Sequence, residues 1–393
     1  MTVKLDAQRL EAAATPALQA LIDNQTYAGF GAAVWQGGDL FYERYLGRSD
    51  READVACNHD TIVRIYSMSK PITGALLAIL WDRGLWQIDD PVAQYIPEFA
   101  DTRVYVSGGP SDYRTEPATT TMTLRHLFTH TAGLSYGFDE NDPVDQIYHE
   151  GAPAGYLDGS YNPDLREFVA MLAQLPLRSN PGTAYHYSFA IDVLGRVAEV
   201  ITGSSFRNLL RALLFEPLGM ADTDFTVDDA RLARFAPCYS PTASGGLTRM
   251  TGQGDARYRP GYRLWSGGGG LTSTLYDYGR FLRMLLNGGE LDGVRVLSPE
   301  AVRYMMTDHL PSALLPFEAN SPGVGYGLCG SVRVAQDPAN PWEPVGVYRW
   351  AGAASTTMWV DPSNGIAGIT TPQLMPGNMA AGDILRQRVY ESA

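Results

Sequence analysis

Strand-like segments stand at both ends of this chain of 393 residues, and helix-like segments fill its middle. Near the start, Leu10, Ala14, Leu18 and Leu21 recur at the helical period within residues 5–24. Gly29 to Gly47 then reads as two strands around the turn signal Gly37-Gly38. Towards the end, Val324 to Val334, Gly346 to Ala351, Thr356 to Val360 and Gly365 to Thr371 read as strands, and residues 378–391 as a closing helix. Between these ends, the spacing predicts helices over Lys70 to Arg83, 123–130, 164–174, 188–202, 205–216, 274–287 and 299–307. The stretch 136–163 is rich in Asp, Gly, Pro and Tyr and reads as an extended surface loop. The economical fold is therefore α+β: a central antiparallel sheet from the N- and C-terminal segments, flanked by helices, with an all-helical region inserted. This divides the chain into an α/β domain, 1–84 with 260–393, and a mostly helical domain, 85–259. A site is expected in the cleft between them.

The charge balance narrows the partners. A formal net charge of -13 with no Lys/Arg cluster argues against nucleic acid and anionic membrane. No run approaches a membrane span, and the N-terminal residues lack the apolar core of a signal peptide, so a cytoplasmic location is expected. Cys57, Cys238 and Cys329 are far apart and form no CxxC pair, which reads as idle thiols.

Of 30 basic residues only Lys4 and Lys70 are lysines. A surface cation is written as arginine here, so Lys70 needs a reason of its own. It lies three residues after Ser67, in Ser67-Met68-Ser69-Lys70-Pro71, and on a helix the two share a face. A serine hydroxyl is a weak nucleophile until a base takes its proton, and a buried lysine can be that base. Taken alone, SxxK also fits a capping serine beside a solvated lysine. Tyr187, in Tyr185-His186-Tyr187-Ser188, precedes a helix and could share the proton transfer if held against Lys70. Trp350-Ala351-Gly352-Ala353 lies in an apolar strand, where Gly352 would admit a ligand close to the backbone. The backbone N–H of Ala353 could then join that of Ser67 as an oxyanion hole.

Taken together, Ser67-Met68-Ser69-Lys70-Pro71, Tyr187-Ser188 and Trp350-Ala351-Gly352 resemble, in order and spacing, the three motifs of the family VIII carboxylesterases, which share the fold of class C β-lactamases and serine penicillin-binding proteins. Thr123 to Leu134 is similar to that family's threonine–histidine loop, and Ser266 to Leu271 with Asp277 to Phe281 to its glycine-rich segment and following helix. The resemblance implies an acyl-enzyme on Ser67, with Lys70 and Tyr187 as general base and Trp350 lining the acyl site. Its implied substrate is a small-molecule carboxylic ester, with no cofactor. The β-lactamase pattern Tyr-x-Asn is broken by Phe189, and Lys-Thr-Gly is replaced by Trp350-Ala351-Gly352. That favours neutral esters over β-lactams, with weak cephalosporin turnover as an alternative. Arg349 is adjacent, but strand alternation turns it to the other face. From motif order, Tyr136, Tyr185 and Trp265 are expected as pocket walls.

Several features compete with this reading. Gly133-Leu134-Ser135-Tyr136-Gly137 fits a nucleophile elbow, but a helical run precedes it where a strand is required. His126 and His130 have zinc-compatible helical spacing, yet residue 127 is Leu and no further ligand completes a set, so no metal is expected. Ser160-Tyr161-Asn162 reads as a turn. An acyltransferase on the same scaffold would share every motif. A non-catalytic ligand- or peptidoglycan-binding relative would have no need of the Ser67, Lys70 and Tyr187 set.

Overall fold

The computed structural model describes residues 3–151, 162–251, 255–315 and 322–392. Helix α1 (Ala7–Asp23) is started by Asp6, whose carboxylate accepts from the Gln8 and Arg9 N–H groups, and it buries Leu10, Ala14, Leu18 and Leu21. Strands β1 (Gly29–Gln36) and β2 (Asp39–Asp50) form the expected hairpin, with β3 (Val55–Ala56) beyond. The C-terminal part supplies β4 (Val324–Tyr326), β5 (Ser331–Arg333), β6 (Tyr348–Ala351), β7 (Thr357–Asp361) and β8 (Ile366–Thr370). They form one eight-stranded sheet in the order β4-β5-β6-β7-β8-β1-β2-β3. The two parts meet where β8 pairs antiparallel with β1, Ala32 opposite Thr370 and Trp35 opposite Ala367.

Period-two alternation gives the sheet two apolar faces. Phe30, Ala32 and Val34 join the cluster under α1 and the closing helix Ala380–Glu391. Ala33 and Trp35 point the other way, into a larger cluster with α2 (Ser69–Asp82), α5 (Leu165–Leu172) and α6 (Ala190–Thr202). Every residue of α2 from Ser69 to Leu80 is buried, as expected of a helix that is apolar all round. This core runs without interruption from the sheet into the middle of the chain, taking in Leu127, Phe168 and Phe206.

Four expectations need correction. The loop expected over 136–163 contains helix α4 (Pro143–Glu150), capped by Asp142; the helical spacing of Val144, Ile147 and Tyr148 was hidden among turn residues. The strand expected over 324–334 is the hairpin β4-β5, turned at Cys329 (φ 62). The helix expected over 123–130 is α3 (Leu124–Phe128), which ends before His130 adopts φ 54. The helical middle also carries small hairpins, such as 103–107 with 114–117. Ser160 and Tyr161 of the expected turn lie outside the described residues. Among the described residues, no helix is long and apolar enough to cross a membrane.

One buried charge cluster ties β5 and β6 to the closing helix. Glu343, 1% exposed at its side chain, lies 2.5 Å from Arg333, 2.9 Å from Arg349 and 3.2 Å from Arg386. Burial lowers the Arg349 pKa to about 10, and Arg386 repels its proton further. Arg386 also pairs with Asp383 at 3.0 Å and Arg333 faces Asp337 at 3.8 Å, but Glu343 is the carboxylate that all three guanidinium groups share, and removing it leaves buried charge undercompensated. Glu343→Gln is expected to cost about 3–5 kcal/mol of stability, read from denaturant unfolding.

Candidate active site

The chain enters the site through Tyr66, whose φ of 43 is a left-handed conformation that strains a bulky residue. This sharp bend leads into the 3-10 turn Tyr66–Met68 and puts Ser67 immediately before α2. Lys70, in the first turn of α2, has no exposed surface. A buried ammonium needs acceptors, and Nζ has three: Ser67 Oγ at 3.1 Å, Tyr136 Oη at 3.1 Å and the Gly268 carbonyl at 2.6 Å. Tyr187, just before α6, donates its hydroxyl to Ser67 Oγ at 2.7 Å, and Lys70 Nζ lies 4.5 Å from the Tyr187 ring centre. The structure thus brings Ser67, Lys70 and Tyr187 into hydrogen-bonding reach.

The glycine-rich segment is what lets α2 sit so deep. Thr73 Oγ1 donates to the Gly267 carbonyl at 2.8 Å, and the Leu271 N–H donates to Ser69 Oγ at 3.1 Å. At Gly268 a Cβ would meet Asp192 Oδ2 at 2.5 Å and Tyr136 Oη at 2.8 Å, so only glycine fits. On the opposite wall, a Cβ at Gly352 would lie 2.3 Å from the Ile65 carbonyl, so the end of β6 lies directly against the chain that leads to Ser67.

Ser67 borders an open cavity of about 490 Å³, together with Tyr136, Tyr185, Tyr187, Trp350, Gly352 and Ala353. Sequence reasoning passed over Phe138, Met375, Met379 and Arg257, which border it too. Phe138 had a discernible signal, since it is two residues from Tyr136 and stacks on it at 4.8 Å. The other three come from segments with no motif. Tyr136 has a larger part than the pocket wall expected for it, because it accepts a hydrogen bond from Lys70.

Trp265 is not brought to the site. It borders a separate surface depression with Asp164 and Arg196, with its ring 5.1 Å from the Arg207 guanidinium and 5.4 Å from Phe225. Sequence proximity to the glycine-rich segment misplaced it, because the chain turns between Trp265 and Gly268. Ser135 is also elsewhere in function. It is buried, its hydroxyl bonds Asp145, and Asp145 is paired with Arg178 at 2.8 Å. His126 Nδ1 accepts the Thr123 N–H at 3.1 Å, closing the cap of α3. His130 is fully buried beside Ser188, 4.7 Å from the Tyr187 ring, and burial, aided by Lys70, lowers its pKa well below the usual value, so it is neutral. The two histidines therefore have separate structural surroundings.

Comparison with known proteins identifies the family. A model of the beta-lactamase family matches residues 14–390. Protein Rv1367c of Mycobacterium tuberculosis (strain ATCC 25618 / H37Rv) is 36% identical over 359 residues, covering 88% of this chain and 86% of that one. Esterase EstB of Burkholderia gladioli is 31% identical over 388 residues, covering 92% of this chain and 90% of that one. Among solved structures, EstCE1, a hydrolase with promiscuous acyltransferase activity, superimposes with a TM-score of 0.83 at 24% identity, covering 98% and 99% of the two chains. The last is a likeness of fold.

The hydrogen bonds to Ser67 rank the two tyrosines. Tyr187→Phe removes the shorter of the two hydrogen bonds to Ser67 Oγ and is expected to slow its labelling by a fluorophosphonate about 10²–10⁴-fold. Tyr136→Phe removes one acceptor from Lys70 and is expected to slow labelling about tenfold, the worth of roughly one hydrogen bond. Equal effects would contradict the order of contacts found here.

Proposed function

The chain belongs to the beta-lactamase family and is a serine hydrolase of it, and we propose that it hydrolyses short-chain carboxylic esters through an acyl-enzyme on Ser67. The observation that carries this reading is the joint approach of Lys70 Nζ and Tyr187 Oη to Ser67 Oγ, at 3.1 and 2.7 Å, on the wall of a cavity. As arranged, both neighbours donate to Ser67, so one proton must leave the Lys70–Tyr187 pair before that pair can act as base. The Ser67 proton then passes to the pair while Oγ keeps its electrons and bonds to the ester carbonyl carbon. The backbone N–H groups of Ser67 and Ala353, residues that both border the cavity, are the donors assigned to the oxyanion. Collapse releases the alcohol, which takes a proton from the pair. Water activated by the same pair then frees the acid.

Substrate class follows from the cavity walls. They are mostly aromatic rings and methionine, with Trp350 where a β-lactamase has its motif lysine. Arg349 offers no replacement, since its guanidinium lies on Glu343 on the other side of β6, and Arg257, the cation among the cavity's lining residues, is buried against the rings of Tyr66 and Tyr258. An uncharged ester is the better fit, and a β-lactam the poorer one. A second reading, acyl transfer, is favoured by the size of the cavity, whose 490 Å³ admits an acceptor alcohol beside the acyl group. No step needs a metal or cofactor.

Hydrolysis of p-nitrophenyl butyrate by the wild type and by Ser67→Ala tests the proposal. The wild type is expected to turn over this ester far faster than a chromogenic cephalosporin. Ser67→Ala is expected to lose about 10⁴-fold or more in kcat. Activity surviving in Ser67→Ala would exclude Ser67 as nucleophile. A rise in turnover on adding butanol, with butyl butyrate as product, would move the assignment to acyl transfer.

A further inference from the structure

Asp192 is a buried carboxylate that the steps above do not use. It stands in the first turn of α6, five residues after Tyr187, and has no exposed surface. Its Oδ1 accepts from Ser266 Oγ at 2.5 Å and from the Gly268 N–H at 3.3 Å. Its Oδ2 has no hydrogen-bond partner among the described residues. A buried acceptor left without a donor is destabilising, so the residue needs a reason other than packing. Oδ2 lies against the bare Cα of Gly268, on the side where Tyr136 Oη also approaches. The carbonyl of that same glycine takes the shortest hydrogen bond of Lys70 Nζ, at 2.6 Å. One glycine thus bonds the carboxylate through its N–H and the catalytic amine through its carbonyl, in the two peptide units that meet at its Cα.

We propose that Asp192 is a positioning residue: as a carboxylate it supplies the buried counter-charge for Lys70 in its ammonium form, and by holding the N–H of Gly268 it fixes the residue whose carbonyl aims Nζ at Ser67. The proposal rests on the reading of Ser67 as the acylated nucleophile. When Oγ bonds to the acyl carbon, its O–H bond breaks and the proton goes to the Lys70–Tyr187 pair. Positive charge on Lys70 is then separated from Asp192 by one residue, Gly268. The groups around the carboxylate leave Lys70 as its charged neighbour. Ser266 and Gly268 are neutral donors, and Tyr136 comes from the loop after α3. His130, beyond α3, is neutral. Leu165 and Phe206 pack on α6 at Gly195 as apolar groups. Burial raises the Asp192 pKa, while Ser266 and the charge of Lys70 lower it.

The test is the rate of Ser67 labelling by a fluorophosphonate as a function of pH, in the wild type, Asp192→Asn, Asp192→Glu and Ser266→Ala. This readout needs only the attack by Ser67, so it does not depend on the natural substrate. Removing the anion favours the neutral amine. Asp192→Asn is therefore expected to move the acidic limb of the profile to lower pH by about one unit, while the plateau rate falls about tenfold. Ser266→Ala, which makes the carboxylate harder to ionise, is expected to move the limb the same way by less. Asp192→Glu is expected to keep the limb of the wild type. A folded Asp192→Asn whose limb coincides with the wild type would overturn the proposal. Should that variant not fold, an unmoved limb in Ser266→Ala overturns it equally. A wild type left unlabelled at Ser67 would instead remove the nucleophile assignment on which it rests.

Discussion

Everything around the site follows from placing one primary amine where water does not reach. Lys70 has no exposed surface, and its three donors are used on Ser67, Tyr136 and Gly268. Each acceptor comes from a different part of the chain, so the amine is what holds those parts in register. The turn before α2 must bend at Tyr66 to present Ser67, and the segment 267–270 must be free of side chains to approach α2. In a protein that writes its other body cations as arginine, a lysine is the choice that chemistry requires. A guanidinium cannot give up its proton at neutral pH and could not alternate between donor and base.

Much of this was legible in the sequence, because the decisive signals are local. The Ser67–Lys70 spacing, the apolar run of α2 and the period-two alternation of β1 each lie within a few residues. So does the face of α1, where Leu10, Ala14, Leu18 and Leu21 are the buried set. What was not legible depends on where loops travel. Trp265 is two residues from Gly267 in sequence yet faces away from the cavity, while Met375 and Met379, with no motif to mark them, border it. Tyr136 looked like a wall residue because nothing local says that its hydroxyl ends on an amine 66 positions earlier. Helix α4 was concealed by its own cap, since Asp142 and Pro143 read equally as turn residues.

The polarity of the site is decided by a single-residue alternation in β6. Trp350 is turned to the cavity, while its neighbour Arg349 is turned to Glu343, Arg333 and Arg386. A slip of one position would exchange the two, putting a guanidinium beside Ser67 and an indole into a charged cluster. Two features oppose such a slip. Arg349 is pinned by its ion pair with Glu343, and Gly352 is pressed against the Ile65 carbonyl, where no other side chain fits. The ion cluster on one face thus keeps Arg349 off the other.

The pairing of β8 with β1 has a consequence for how the protein is made. Gly31 and Thr371 are hydrogen-bonded across 340 residues. As the chain leaves the ribosome, Ser67 and α2 emerge early, but five of the eight strands lie beyond residue 320. Until they arrive, one edge of β1 offers unpaired N–H and C=O groups, and the apolar helix α2 lacks part of its cover. Contacts this distant in sequence close slowly. The nascent molecule therefore passes through an interval in which its most apolar helix and a bare strand edge are exposed together, and the cavity beside Ser67, walled in part by Trp350, Met375 and Met379, is among the last parts to take shape.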